Sequence, residues 1–350
     1  MTPIYDIRKT YLENATQGPF FTGEIPKFDP LANPIDFLGY KLNSPLGVPA
    51  GPLLNSKWIS LAAELGFDLP TYKTIRSFPY PGHSLPNIVF IEKISKEKAR
   101  QIDCSVDAAT VSITNSFGMP SMSPEFLMQD IEKANASLKN GQVMIVSIVG
   151  SQNRGISFLD DFIRSAQLAR AAGAKIIEAN FSCPNVDKEE GSLYTSSETV
   201  YEYVKKIATA IRPIPLLIKV GTFSTREQMR NVFIAAAKAG CSGICGINSV
   251  SMEVVDAKGN PALGPSRGTS GVCGSAIRDD AIRFMKEATT IKRAEKLDLA
   301  LLGCGGIMSP EHFTSMLDAG AQIAMSATGM MWDPLLAIRY RKSLYANAHP

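Results

Sequence analysis

LARAAGAKIIEAN, residues 168–180, reads as the end of an alanine-rich amphipathic helix, a stop at Gly173, and an apolar β run finishing on Asn180. A glycine just past a helix supplies the positive φ that turns the chain back, so a strand can begin within a few residues. The pattern recurs as LAAELGFD around Gly66, AAAKAGCSG around Gly240 and MLDAGAQI around Gly320.

Apolar runs of strand length stand at 46–50 (LGVPA), 71–75 (TYKTI), 111–115 (VSITN), 143–149 (VMIVSIV), 175–180 (KIIEAN), 215–220 (PLLIKV), 243–248 (GICGIN), 299–304 (LALLGC) and 322–327 (QIAMSA). Most are separated by helical patterns. Runs apolar on both faces and alternating with helices imply a parallel sheet covered on both sides, either doubly wound or closed into a (β/α)8 barrel. The number of runs and the 350-residue length favour the barrel. No G-x-G-x-x-G turn follows the early strands, which points the same way. The expected fold is therefore α/β, a (β/α)8 TIM barrel with an N-terminal extension. Residues 1–40, rich in Pro, Phe and Asn, form that extension, packed on a barrel of residues 41–350.

Composition narrows the function. With 45% hydrophobic and 20% charged residues the chain can bury a large core, which excludes disordered, collagenous and coiled-coil readings. Thirty-six basic against 33 acidic side chains leave +3 without a basic block, so a small molecule is favoured over nucleic acid or a membrane surface. Six cysteines without a C-x-x-C pair suggest neither a disulfide framework nor a zinc or iron–sulfur centre, and fit a reducing, cytoplasmic setting. The charged N-terminus and the shortness of the longest apolar run, VMIVSIV, suggest neither a signal peptide nor a membrane span.

In a (β/α)8 barrel the active site is built at the C-terminal ends of the strands. Here Asn115, Asn180 and Asn248 end three runs, and Lys73 and Lys219 sit near the ends of two more. A single asparagine there is ordinary turn chemistry; three beside two lysines fit that poorly. A lysine inside PLLIKV faces a desolvated space, where its charge needs an electron-rich partner or must be lost. With only His83, His312 and His349 available, acid–base work falls to Cys, Lys or a carboxylate rather than to a histidine triad or metal site. Pro184 breaks regular structure after KIIEAN and sets Cys183 on the loop above the barrel mouth. Its thiol reads either as a base or nucleophile or as a small buried apolar group. The polar stretch after it, 187–199, has the character of a lid. LLGCGGIMSPEHF, with Ser309 as N-cap, and GTSGVCGSAIR offer two glycine-rich turns able to cradle a phosphate.

The succession AGPLLN, TYKTIRS, TNSFGMPS, NFSCPNV, IKVGTF, GINSVS, GCGGI resembles the dihydroorotate dehydrogenases, from about residue 40 to 335. NFSCPN carries the cysteine typical of class 1. The resemblance implies FMN across the barrel mouth near Ala50 and Gly51, with Lys73 and Thr74 beside its rings and Lys219 at its polar edge or ribityl chain. Asn115 and Asn180 match positions shared between cofactor and substrate. Gly274, Gly305, Gly306 and Thr328 match those that hold the phosphate. Asn115, Asn180, Asn185, Asn248 and Ser249, with Lys73, match those that bind the pyrimidine and its carboxylate. Cys183 would take a proton from C5 of dihydroorotate while the C6 hydrogen leaves as hydride to flavin N5, giving orotate for pyrimidine biosynthesis. A homodimer is implied in the same way. The electron acceptor stays open between fumarate and NAD through a partner subunit, NSFGMPS leaning toward the former.

The sequence departs from the family pattern at PGHSLPN, where His83 and Asn87 replace an expected Pro and Arg, at Ser121, which replaces Asn, and at Ala327, which replaces a glycine. Added Cβ atoms or lost amides there suggest a changed ligand. Residues 257–278 are also reminiscent of dihydropyrimidine dehydrogenase, although the loop 191–199 lacks that enzyme's cysteine. A reading of a different class makes Lys219 the Schiff-base nucleophile of an aldolase.

Overall fold

The computed structural model describes residues 3–28, 34–104, 107–152, 155–182 and 190–348. In chain order, β1 (Ile35–Phe37) and β2 (Tyr40–Leu42) form a hairpin, followed by β3 (Leu46–Val48) and β4 (Leu69–Ile75). Next come β5 (Ile88–Lys93), β6 (Lys98–Ile102), β7 (Ser112–Asn115), β8 (Ile145–Ile148), β9 (Ile176–Asn180), β10 (Leu216–Lys219) and β11 (Gly243–Gly246). The last are β12 (Val250–Val255), β13 (Thr269–Gly274), β14 (Ala300–Cys304) and β15 (Ile323–Met325).

Eight strands, β3, β4, β8, β9, β10, β11, β14 and β15, pair in parallel and close on one another, β15 returning to β3. This is the expected (β/α)8 barrel. The helix stops work as the sequence suggests: Gly66, Gly173, Gly240 and Gly320 take φ of 92°, 86°, 96° and 109°. After each, the next amide reaches back to the last helical turn, as in Ala174 N–H to Ala169 O (3.0 Å) and Cys241 N–H to Ala236 O (3.0 Å). That six-to-one bond is the Schellman geometry, and it aims the chain straight into the following strand.

One of the nine strand-length runs is not in the barrel. Residues 111–115 contribute β7, which belongs to a second closed sheet of β5, β6, β7, β12 and β13. The reason is visible in burial: Ser112, Ile113 and Thr114 are all buried, so β7 is covered on both faces as a barrel strand would be, and periodicity cannot distinguish the two. GTSGVCGSAIR is likewise β13 plus a short 3-10 turn, Ser275–Ile277, rather than a simple glycine loop. β5–β7 are inserted after barrel strand β4, and β12–β13 after β11. Both insertions leave the C-terminal ends of barrel strands, so the small sheet stands over that mouth.

The opposite end is plugged. Phe37 and Leu42 of the hairpin are buried against the barrel-interior side chains Leu69, Ile145, Ile176, Leu217, Leu302 and Ile323. Full burial of such a side chain contributes ~1.5–3 kcal/mol. Ile4 and Tyr5 are buried at the functional end: the Ile4 amide donates to Met331 O at 3.0 Å, and the Tyr5 ring packs on Phe117 and Trp58. Among the described residues no helix is long and apolar enough to cross a membrane, and no cluster of His, Cys, Asp or Glu could hold a metal ion.

Candidate active site

Side chains alternate along a strand, so the barrel interior receives every second residue. On β9 that series is Ile176, Glu178, Asn180; on β10 it is Leu217, Lys219; on β4 it is Leu69, Thr71, Lys73. The apolar member of each series lies deep and the polar member lies at the mouth. Asn180 and Lys219 are register partners, as are Lys219 and Cys245.

Between the mouth and the small sheet lies a cleft lined by residues of both. Ten of the residues matched to a cofactor or substrate role line it. They are Ala50 and Gly51, Lys73 and Thr74, Asn115 and Asn180, Lys219, Asn248 and Ser249, and Thr328. Asn115 arrives from the small sheet, flanked by Ile88 of β5 and Gly271 of β13, and not from a barrel strand. Gly274, Gly305 and Gly306 are not among the described residues lining the cleft. Each is required by close packing: a Cβ would stand 2.3 Å from Val111 O at Gly274, 2.7 Å from Ala281 at Gly305, and 2.3 Å from Arg278 at Gly306. Cys183 and Asn185 lie outside the described residues.

The asparagines are already engaged with one another. Asn248 donates from Nδ2 to Asn180 Oδ1 at 3.3 Å and, very closely, to the Ser182 carbonyl, while its Oδ1 accepts from Ser249 N–H at 2.8 Å. Asn180 Oδ1 also accepts from Ser182 N–H. This mesh fixes the backbone immediately before Cys183. Asn115 donates to Cys273 Sγ at 3.2 Å, and burial pushes the Cys273 thiol up to about 12, so it acts as a neutral lining group.

Lys219 is buried, with Nζ 3.1 Å from Cys304 Sγ and 3.4 Å from Cys245 Sγ. Burial disfavours its charge, but Cys245, Cys304 and Glu178 outweigh it and hold the ammonium well above the ordinary lysine range. Cys304, hydrogen-bonded by Cys245 and beside Lys219, is lowered against the effect of burial to about 6. A lysine held this firmly protonated is a poor Schiff-base nucleophile.

Several departures from the family pattern turn out to be scaffolding. Ser121 does not line the cleft; its Oγ accepts from Arg76 N–H at 3.0 Å, and its backbone bridges Tyr80. Asn87 Nδ2 donates to the carbonyls of His83, Ser84 and Ser116, and His83 Nδ1 lies 3.0 Å from Ser116 Oγ. These residues hold the 83–87 turn and do not face the cleft among its described lining; Ala327 does. The described part of the expected lid is anchored: Leu193 is buried, and Tyr194 donates to Thr222 O at 2.9 Å while its ring packs edge-on against Phe223. Ser309 occupies an N-cap position, but its hydroxyl donates to Glu311 and caps no amide.

Sequence reasoning missed Tyr5, Met119 and Cys273 in the cleft. Cys273 stood one residue from Gly274; nothing in the sequence marked Tyr5. Arg76 was also missed. Buried among polar groups, it donates to Met119 O at 3.1 Å and Gly150 O at 3.2 Å and so fixes the loop that carries Met119.

Comparison with known proteins agrees with this fold. A dihydroorotate dehydrogenase from Dictyostelium discoideum is 46% identical over 97% of both chains. The PreA subunit of the NAD-dependent dihydropyrimidine dehydrogenase of Escherichia coli K12 is 27% identical over 85% of this chain and 68% of its own. A crystal structure of DHODH in complex with ferulenol from Eimeria tenella superposes with a TM-score of 0.74 at 17% identity, covering 96% of this chain and 89% of that one, a likeness of fold. The family model for dihydroorotate dehydrogenase matches residues 34–340. With that match and the 46% relative, the chain belongs to the dihydroorotate dehydrogenase family and is an oxidoreductase.

Proposed function

We propose that the chain oxidises dihydroorotate to orotate with FMN bound in the cleft. The observation that carries this reading is the convergence of Lys73, Asn115, Asn180, Lys219, Asn248 and Ser249 on one space, delivered by two different sheets. The cleft suits a large flat ligand with polar edges. Ile88, Ile113 and Met331 provide apolar wall, and Gly51, at φ 148°, has open space where a side chain would project. Ala50, Gly51, Lys73, Thr74, Asn115, Asn180 and Lys219 would hold the ring system and ribityl chain, and Gly274, Gly305, Gly306 and Thr328 the phosphate. When bound, FMN supplies the acceptor, at N5, for the hydride that leaves substrate C6.

The chain's own work is binding and proton removal. Asn115, Asn180, Asn185, Asn248 and Ser249, with Lys73, would grip the pyrimidine amides and carboxylate, since planar amides match a ring edge that both donates and accepts. Cys183 would take the C5 proton, which the neighbouring carbonyl acidifies. The Asn180–Asn248–Ser182 mesh orients the backbone leading to Cys183. The family resemblance supports a homodimer, which light scattering would test.

The test is the visible spectrum of the purified protein, expected to be yellow and to bleach anaerobically with dihydroorotate but not with dihydrouracil. Bleaching by dihydrouracil instead would favour the dihydropyrimidine reading suggested by the PreA relative. A colourless chain that refuses added FMN overturns both. Cys183→Ala is expected to keep the colour and lose most flavin reduction; reduction at the parent rate would remove Cys183 from its role.

A further inference from the structure

Tyr5 is the one cleft residue contributed by the N-terminal segment, and its polar atom is unsatisfied. The residue is 1% exposed and lines the cleft, and its hydroxyl is buried with no hydrogen-bond partner among the described residues. A buried hydroxyl left unpaired costs free energy, whereas a phenylalanine would fill the same position without that cost. An acceptor brought into the cleft by a ligand accounts for the oxygen. The phenol is also held in place beforehand. On one side of it the Ile4 amide donates to Met331 O and the Ile4 carbonyl accepts from Phe20 N–H, both at 3.0 Å. On the other side Asn14, itself 0% exposed, accepts from the Asp6 amide at 2.9 Å and donates to the carbonyls of Asp6, Lys9 and Thr10. The ring packs against Trp58 at 6.0 Å and edge-on against Phe117 at 5.8 Å. A side chain fixed in this way loses little further freedom when it makes a contact.

Resting on the flavin reading above, we propose that the Tyr5 hydroxyl donates a hydrogen bond to the bound flavin, which makes the N-terminal segment part of the cofactor site. The neighbours of Tyr5 favour the cofactor over the substrate. The backbone beside it is tied to Met331, three residues after Thr328, and its ring meets Trp58 on the helix Ser56–Glu64, which follows Ala50 and Gly51. Those three residues are assigned above to the cofactor alone. Burial holds the phenol well above the ordinary tyrosine range, so it stays a protonated donor. Tyr5 lies outside residues 34–340, the stretch that the family model matches, so the contact belongs to this chain's own N-terminal segment and not to the family pattern.

Tyr5→Phe keeps the ring and removes only the oxygen. The experiment measures FMN affinity of the full chain by the change in flavin fluorescence, and thermal unfolding of the same chain with and without FMN. Tyr5→Phe is expected to bind FMN roughly 3- to 10-fold more weakly, the worth of one neutral hydrogen bond. Its FMN-free form is expected to unfold at the parent's temperature or above it, because the oxygen it loses has no partner there. A hydroxyl with a purely structural role gives the opposite pattern, a destabilised FMN-free chain with FMN affinity intact. FMN affinity in Y5F equal to or tighter than the parent's overturns the inference. So does an FMN-free Y5F chain that is less stable than the parent or does not fold. A parent protein that binds no FMN overturns instead the reading on which the inference rests.

Discussion

Replacing Asn248 with alanine tests whether the mesh before Cys183 matters to turnover. The substitution deletes the Nδ2 bonds to Ser182 O and Asn180 Oδ1 and the acceptor of Ser249 N–H. Ser182 is buried, so its carbonyl loses a partner that water does not readily replace. An unsatisfied buried acceptor costs about 1–3 kcal/mol. If that energy now holds the 180–182 backbone in its productive position, the transition state loses it, and kcat/KM falls roughly 5- to 150-fold. The assay is anaerobic rapid mixing with dihydroorotate, following the loss of flavin absorbance and normalised to bound flavin. Asn248→Asp keeps an acceptor for Ser249 N–H but sets a carboxylate against the Ser182 carbonyl, so it should be at least as impaired. Flavin reduction by Asn248→Ala within twofold of the parent would show that the mesh is incidental.

Other outcomes follow from the same structure. Arg341→Leu removes a buried guanidinium that binds Asp68 Oδ2 at 2.6 Å, Ser44 Oγ at 2.7 Å and Gly66 O at 2.7 Å, leaving Asp68 with a buried charge; urea unfolding should show a loss of about 3–5 kcal/mol, and a loss below 1 kcal/mol would refute the pairing. Burial and then Arg267 lower the pKa of His83. The unfolded chain therefore takes up the proton first, and stability present above the unfolded histidine value of about 6.5 is lost as pH falls through the folded one. The urea midpoint should drop from pH 7.5 to 5.5, and drop less in His83→Gln; identical pH profiles would refute this. Flavin reduction should rise with pH until the Cys183 thiol, ordinarily near 8.5, is deprotonated, and a rate independent of pH between 6 and 9 would speak against a thiol base. Borohydride with a phosphosugar should leave Lys219 unmodified by mass spectrometry, since its ammonium is held protonated.

What could be read from the chain alone was whatever depends on local order. The helix–glycine–strand repeat needs only a positive φ and a two-sided apolar run, so with the number of runs it favoured the barrel over a doubly wound sheet, and the strand ends then named Lys73, Asn180, Lys219 and Asn248. NFSCPN carried the family likeness because it is a contiguous motif. Tertiary structure alone decided which runs close the barrel. Strand β7 has the same two-sided burial as a barrel strand, and only its antiparallel pairing with β5 and β13 sends it to the second sheet. It alone also brought Tyr5 and Cys273 into the cleft and turned Ser121 and Asn87 into loop anchors. Pairing partners and burial are contacts between residues far apart in the chain, and periodicity records only which face of an element is apolar, never what that face will meet.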